Sequence, residues 1–144
     1  MLYLNLELIA AKKLDRAEVE RVAAEAALTE NHIARAYTRT QLLQGNVQQD
    51  SIGTAFSLSF YGPRSGDITL LQDPYYMFLA GGTTHGTPYD YDSHVPVIFF
   101  GAGIKSGLYQ RRIAVNDIAP TLAELLGVEQ PAGSFGRILS EIFE

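Results

Sequence analysis

The stretch from Gly81 to Pro96 constrains this chain most, because a glycine-rich loop with ionisable side chains leads directly into an apolar run. The loop carries two histidines and two aspartates, which are His85, Asp90, Asp92 and His94. Imidazole nitrogens and carboxylate oxygens suit zinc, and a glycine-rich turn lets the backbone approach an anion closely. The same residues also suit a polar loop whose aspartates satisfy turn amides. The spacing matches no short zinc motif, so it leaves both interpretations open.

Composition limits the classes of function. The chain has 144 residues, of which 47% are hydrophobic and 19% charged, as expected for one globular domain. Eleven Lys and Arg against 16 Asp and Glu give a net charge of -5, which argues against nucleic-acid binding through a basic surface. The chain has no cysteine, so any metal must be held by histidine and carboxylate. No apolar stretch is long enough to predict a membrane span.

Sequence patterns in the first half of the chain predict short helices and strands. Alternating leucines from Leu2 to Leu6 predict a short strand. Asp15 followed by Glu18 predicts a helix that ends near Leu28. The elements predicted next are a strand over Ile33–Tyr37, a helix over Arg39–Leu43 ended by Gly45, and a helix over Ile52–Phe60, where a strand is the alternative.

The second half predicts the core of an α/β fold. Asp67–Leu71 reads as a core strand, and Val95–Phe100 as a strand that is apolar on both faces and therefore buried. Asn116 or Asp117 caps a helix that ends at Gly127, with Leu122, Leu125 and Leu126 predicted as its buried face. The predicted fold class is α/β, with a mixed sheet and flanking helices.

Two motifs resemble a known family. Residues 85–96 read H-G-T-P-Y-D-Y-D-S-H-V-P, and residues 116–122 read N-D-I-A-P-T-L. Together they resemble the C-terminal metal-ligand loop of the alkaline phosphatase superfamily. The nearest branch groups single-chain alkaline phosphatases with type I phosphodiesterase/nucleotide pyrophosphatases. The resemblance also extends to Leu2–Asn5 and Ser65–Ile68, so it covers most of the chain.

The resemblance implies a site with two zinc ions, where a Thr or Ser nucleophile attacks phosphorus and water then hydrolyses the covalent phospho-enzyme. His85 matches the histidine that is one ligand of one zinc. His94 matches no ligand position, so it is expected to support the site from outside the coordination sphere. Asp90 and Asp92 are the candidates in the sequence for orienting the His85 ring.

The same resemblance predicts that the chain is the C-terminal part of a phosphate-ester hydrolase. The nucleophile and the remaining ligands lie N-terminal to this loop in the family, and no Asp-His pair occurs here. We therefore expect no catalytic residue in this chain and no activity from it alone. Residues 1–144 would form one domain or fragment, with a cap-like part at 1–64 and the loop and core sheet at 65–144.

The resemblance further implies a periplasmic or secreted parent enzyme and a phosphate-ester substrate. Surfaces exposed by truncation could support a homo-oligomer. Two alternatives stay open. The chain could be a non-catalytic α/β interaction or oligomerisation module, or part of a sulfatase or phosphodiesterase of the same superfamily.

Overall fold

A computed structural model describes all of residues 1–144, and the chain forms two compact units, Met1–Val95 and Pro96–Glu144. The first unit contains α1 (Leu6–Ala11), α2 (Arg16–Leu28), β1 (Ile33–Thr38), α3 (Arg39–Gln44), α4 (Ser51–Ser59), β2 (Ile68–Gln72) and α5 (Asp90–Ser93). The second contains a 3₁₀ turn at Val115–Asp117, helix α6 (Ile118–Leu126) and a 3₁₀ turn at Ser140–Ile142. The predicted division after residue 64 remains a prediction.

The sheet of the first unit is an antiparallel pair. Strands β1 and β2 pair with Tyr37 opposite Thr69 and Thr38 opposite Ile68, as expected for the two predicted strands. Ile68 is fully buried, so the middle of the pair lies in the core of this unit. The backbone N–H of Leu2 donates to the Ile68 carbonyl over 2.8 Å, which adds one isolated bridge beside β2.

Local capping residues set the helix ends. Asp15 accepts a hydrogen bond from the Glu18 N–H over 2.8 Å and begins α2. Thr38 and Gln41 form a reciprocal capping box at the start of α3, which ends at Gly45 with φ of 67°. Asp50 accepts from the Gly53 N–H over 2.7 Å and begins α4. These helices confirm the predictions for this part of the chain, including the helix rather than a strand over residues 52–60.

A buried carboxylate joins helix α2 to the sheet and to α3. Glu20 is fully buried, and its carboxylate accepts hydrogen bonds from Arg16 Nε over 3.0 Å and from the Thr40 N–H over 2.9 Å. Arg16 also donates to Asp67 over 2.5 Å, and Asp67 accepts from the Leu4 N–H over 2.8 Å. Both oxygens of the buried Glu20 carboxylate therefore accept a hydrogen bond.

The strand predicted for Leu2–Leu6 is wrong beyond its first residue. Only Leu2 pairs with the sheet, and Leu6 is already the first residue of helix α1. Asn5 is the reason, because its side chain accepts from the Leu8 N–H over 2.9 Å and caps the helix. The capping interaction is local, and it prevails over the alternating pattern.

The buried strand predicted for Val95–Phe100 is also wrong. The segment has no regular secondary structure, and its side chains reach high exposure, with Ile98 at 86% and Phe100 at 101%. The sheet of this chain consists of β1 and β2, so the backbone of Val95–Phe100 has no partner strand here. An apolar run forms a strand only when another backbone completes its hydrogen bonds.

The second unit is organised around the start of α6. Asp117 is buried at the N-cap position of α6, but its carboxylate makes no capping bond to that helix and accepts instead from the N–H groups of Ala114 and Arg137 over 2.9 and 2.8 Å. The predicted side-chain cap is therefore wrong, because the carboxylate joins the segment before α6 to the segment that returns to it. Thr121 is fully buried and accepts from the Leu139 N–H over 3.0 Å. Gly127, with φ of 63°, ends the helix as expected.

The buried face predicted for α6 is wrong. Leu122 and Leu126 are exposed, and Leu125 is only half-buried. The buried residues are Pro120, Thr121 and Ala123. The reason is that the segment that returns to this helix packs over Thr121 through Leu139, which places the leucines on the opposite side. Across the whole chain, no helix combines the length and apolarity that crossing a bilayer requires.

Glu20→Ala should lower the free energy of unfolding by about 2 kcal/mol, because it leaves the Thr40 N–H without its acceptor and removes a charged hydrogen bond from Arg16. Urea unfolding measures the change. Glu25→Ala is the matched control, because the Glu25 side chain is 61% exposed in its pair with Arg21, and should change stability little. Equal effects of the two substitutions would contradict the role of Glu20.

Candidate metal-ligand loop

The candidate loop is exposed and is shaped by glycines. The residues from Gly81 to Gly86 are all exposed. Gly82 and Gly86 have φ of 99° and 97°, a backbone conformation that a residue with a side chain adopts only with strain. His85 lies directly before Gly86, so this backbone carries an exposed imidazole. Helix α5 begins four residues after Gly86, at Asp90.

Asp92 is the most firmly held carboxylate of the loop. Its Oδ2 atom accepts hydrogen bonds from the Thr87 N–H over 2.9 Å and from the Thr87 hydroxyl over 2.6 Å. These two bonds hold the pKa of Asp92 below its ordinary value, although partial burial opposes the shift. Both bonds use Oδ2, which leaves Oδ1 for a further donor.

Asp90 and His94 lie at the two ends of the single turn of α5. Both residues are exposed, and the His94 N–H donates to the Asp90 carbonyl over 2.8 Å. The two residues have an Asp-x-x-x-His spacing, and His94 is the C-cap of α5 with a non-helical backbone.

A stack of three tyrosines lies beside the loop. The rings of Tyr75 and Tyr91 are 4.5 Å apart, and those of Tyr91 and Tyr89 are 5.6 Å apart. The Tyr89 hydroxyl donates to the Gln72 carbonyl at the end of β2 over 2.7 Å, and burial raises the pKa of this hydroxyl. The sequence offers no local signal for this stack, because Tyr75 and Tyr91 lie far apart along the chain.

His32 has a different environment from the loop histidines. Its Nδ1 atom lies 3.2 Å from Asp73 Oδ2, and its ring stacks on Tyr76 with centroids 3.7 Å apart. Its side chain is about half exposed.

The loop by itself is an incomplete set of zinc ligands. No group of three or more His, Asp or Glu residues in this chain is arranged to hold a metal ion. Zinc sites use three or four protein ligands. His85 offers an exposed imidazole, whereas Asp92 already accepts two hydrogen bonds from Thr87. The residues present thus fit a contribution of one ligand and do not fit a closed site.

The fold and the loop together indicate a class of protein. The helices, the small antiparallel sheet and the His85 loop match an alkaline phosphatase fold. The crystal structure of wild-type alkaline phosphatase PafA superposes on 99% of this chain with a TM-score of 0.86 and 27% sequence identity. The match covers 28% of the PafA chain. The predicted fold class is thereby confirmed, and the sheet within this chain is antiparallel.

Particular relatives agree with this class. Alkaline phosphatase PhoV of Synechococcus elongatus is 39% identical over 82 residues, which are 56% of this chain and 15% of PhoV. A calcium-transporting ATPase of Myroides odoratus is 31% identical in an alignment of 150 positions that covers 99% of this chain and 26% of that protein. No protein-family model matches the chain. The chain is therefore homologous to part of the alkaline phosphatase superfamily enzymes, and it spans about a quarter or less of these relatives.

Thr87→Val should raise the pKa of Asp92 toward its ordinary value, because the hydroxyl that bonds to Oδ2 is lost while the Thr87 N–H remains. Since the pKa in the folded chain is lowered, the stabilisation by this bond is fully present above the ordinary value of about 4 and is lost as the pH falls through the lowered pKa. Carboxyl ¹³C shifts followed against pH measure this. Thr84→Val, at an exposed position of the same loop, should leave the titration unchanged.

Proposed function

We propose that this chain is part of a zinc-dependent phosphate-ester hydrolase, in which His85 is one zinc ligand and residues outside this chain complete the site. The chain alone hydrolyses no phosphate ester. The homology to alkaline phosphatases supports the class of reaction. The exposed imidazole of His85, in the same loop as the held carboxylate of Asp92, is the observation that carries the assignment.

The proposed role of each residue follows from its contacts. His85 presents its ring to solvent, where an incoming ion or a covering segment can reach it. Thr87 fixes Asp92, which keeps a negative charge beside His85 and offers Oδ1 as an acceptor for a ring N–H. Such an acceptor would leave the other ring nitrogen free to bind metal. Asp90 and His94 would support the loop from α5.

A zinc ion bound by His85 and ligands outside this chain would stabilise negative charge on phosphoryl oxygens and activate water. This chain's own contribution is to place one neutral imidazole and to fix its orientation. The glycines on both sides of His85 let the loop present that ring without a neighbouring side chain in the way.

A nucleotide is a second candidate substrate. The relative named a calcium-transporting ATPase is similar over 99% of this chain, and ATP carries a phosphoanhydride that the same chemistry cleaves. Hydrolysis of a nucleoside phosphate would use the same placement of His85.

We expect copies of the chain to associate through the exposed apolar segment Val95–Phe100.

The isolated chain should bind zinc weakly and fail to hydrolyse p-nitrophenyl phosphate, because one imidazole cannot hold a catalytic ion against water. Zinc titration followed by imidazole NMR should shift the His85 ring, with little change at His32, which is paired with Asp73. His85→Ala should abolish the main response. Turnover of p-nitrophenyl phosphate that a chelator stops would contradict the proposal.

A chimera tests the role of His85 in a complete site. If this chain replaces the matching segment of PafA, His85→Ala should lower both zinc content and phosphate-ester turnover. The loss should reach at least the roughly 100-fold that removal of a supporting residue causes at metal sites. His32→Ala is the control and should retain zinc and activity. Full activity of the His85→Ala chimera would exclude this residue as a ligand.

A further inference from the structure

A side-chain hydrogen bond attaches the candidate loop to the sheet of the first unit. The Tyr89 hydroxyl donates to the backbone carbonyl of Gln72, the last residue of β2, over 2.7 Å. Tyr89 is partly buried, whereas the loop residues Gly81–Gly86 are exposed. A hydrogen bond that is partly shielded from water is harder for solvent to replace than one at an open surface. This bond is therefore a fixed point between the loop and β2.

The backbone of Tyr89 holds the residues that follow it. Its carbonyl accepts from the N–H groups of Asp92 and Ser93, both over 2.9 Å, and these bonds belong to the single turn of α5. The same residue therefore contacts β2 through its side chain and Asp92 through its main chain. A movement of Tyr89 relative to β2 would carry the backbone of Asp92 with it.

Asp92 closes the connection back to the loop. Its Oδ2 atom accepts from the N–H and the hydroxyl of Thr87, so residues 87–92 form a ring that is closed by these bonds. His85 lies two residues before Thr87, and two residues span at most about 7 Å of chain. The backbone that carries His85 is therefore fastened to β2 through a continuous series of hydrogen bonds.

We propose that Tyr89 is a positioning residue for the proposed zinc ligand, because its hydroxyl sets where the ring of residues 87–92, and hence the backbone of His85, lies relative to β2. The proposal rests on the proposed function, since it gives His85 a fixed place at which residues outside this chain can complete the site. A ligand that is held in place before the ion arrives loses less conformational freedom on binding.

Tyr89→Phe separates this role from packing. The variant keeps the aromatic ring, whose centre lies 5.6 Å from that of Tyr91, and removes only the donor to the Gln72 carbonyl. A packing role depends on the ring, so it predicts little change in this variant. The anchoring role depends on the hydroxyl, so it predicts a looser loop.

The first test follows backbone hydrogen exchange by NMR in the chain without metal. Tyr89→Phe should raise the exchange rates of the Thr87 and Asp92 N–H groups about two- to ten-fold, the equivalent of one net hydrogen bond. The Arg39 N–H donates to the Asp67 carbonyl over 2.7 Å beside the other end of the strand pair, and its exchange should not change. Unchanged exchange at Thr87 and Asp92, or an equal rise at Arg39, would overturn the proposal.

Two further variants isolate the hydroxyl. Tyr61→Phe is the matched control, because Tyr61 lies outside the loop in the same unit and is 54% exposed, and it should leave exchange in the loop unchanged. Replacement of Tyr89 by para-aminophenylalanine returns a hydrogen-bond donor to the same place and should restore slow exchange. Fast exchange in spite of this donor would show that the hydroxyl is not the anchor.

The chimera with PafA tests the consequence for zinc. Tyr89→Phe should weaken the zinc affinity of the chimera about two- to ten-fold, and excess zinc should restore turnover because His85 is still present. A merely structural role would lower the amount of folded protein and leave the zinc affinity of the folded fraction unchanged. Unchanged zinc affinity in Tyr89→Phe would therefore overturn the positioning role.

The two tests distinguish failure of this proposal from failure of the zinc assignment. Faster loop exchange in Tyr89→Phe together with a fully active His85→Ala chimera would retain Tyr89 as the anchor of the loop and exclude His85 as the ligand. Unchanged loop exchange together with an inactive His85→Ala chimera would retain the ligand and exclude the anchor.

Discussion

The first unit depends on one buried carboxylate that links three elements. Glu20 of α2 is fully removed from solvent, so its charge requires partners on every side. Arg16 supplies one partner and the backbone of Thr40 another, while Arg16 also reaches Asp67 next to β2. Because these partners lie in α2, at the start of α3 and beside β2, the carboxylate fixes how the helices meet the sheet. Apolar contacts alone would set this arrangement less specifically.

The most accurate predictions from the sequence are those that rest on interactions between residues close together along the chain. The caps at Asp15 and Asp50 and the turn glycine Gly45 each act within a few residues, and the helices they bound form as expected. The same locality explains the N-terminal error, where the cap at Asn5 prevails over alternating leucines. Capping hydrogen bonds need no partner from elsewhere in the chain, so the sequence alone is sufficient to predict them.

Burial, in contrast, depends on partners that a sequence does not name. Val95–Phe100 has the composition of a buried strand, yet no second backbone in this chain pairs with it, and Phe100 is fully exposed. The leucines of α6 are apolar, but contact with Leu139 selects Thr121 for the interior. The same difference between local signals and contacts with distant residues holds for the candidate site. His85 is a candidate ligand from its motif alone, whereas only the structure shows the Thr87–Asp92 bonds and the stacking of Tyr75 on Tyr91.

Rigid and open parts alternate across the candidate site, and this arrangement has a physical rationale. Asp92 and the inner tyrosine Tyr89 are fixed by hydrogen bonds to Thr87 and to the end of β2. His85 is exposed in the same loop as Asp92, and Tyr91, the residue before Asp92, stacks between Tyr89 and Tyr75. A group that is held on one side and open on the other loses little conformational freedom when a ligand arrives.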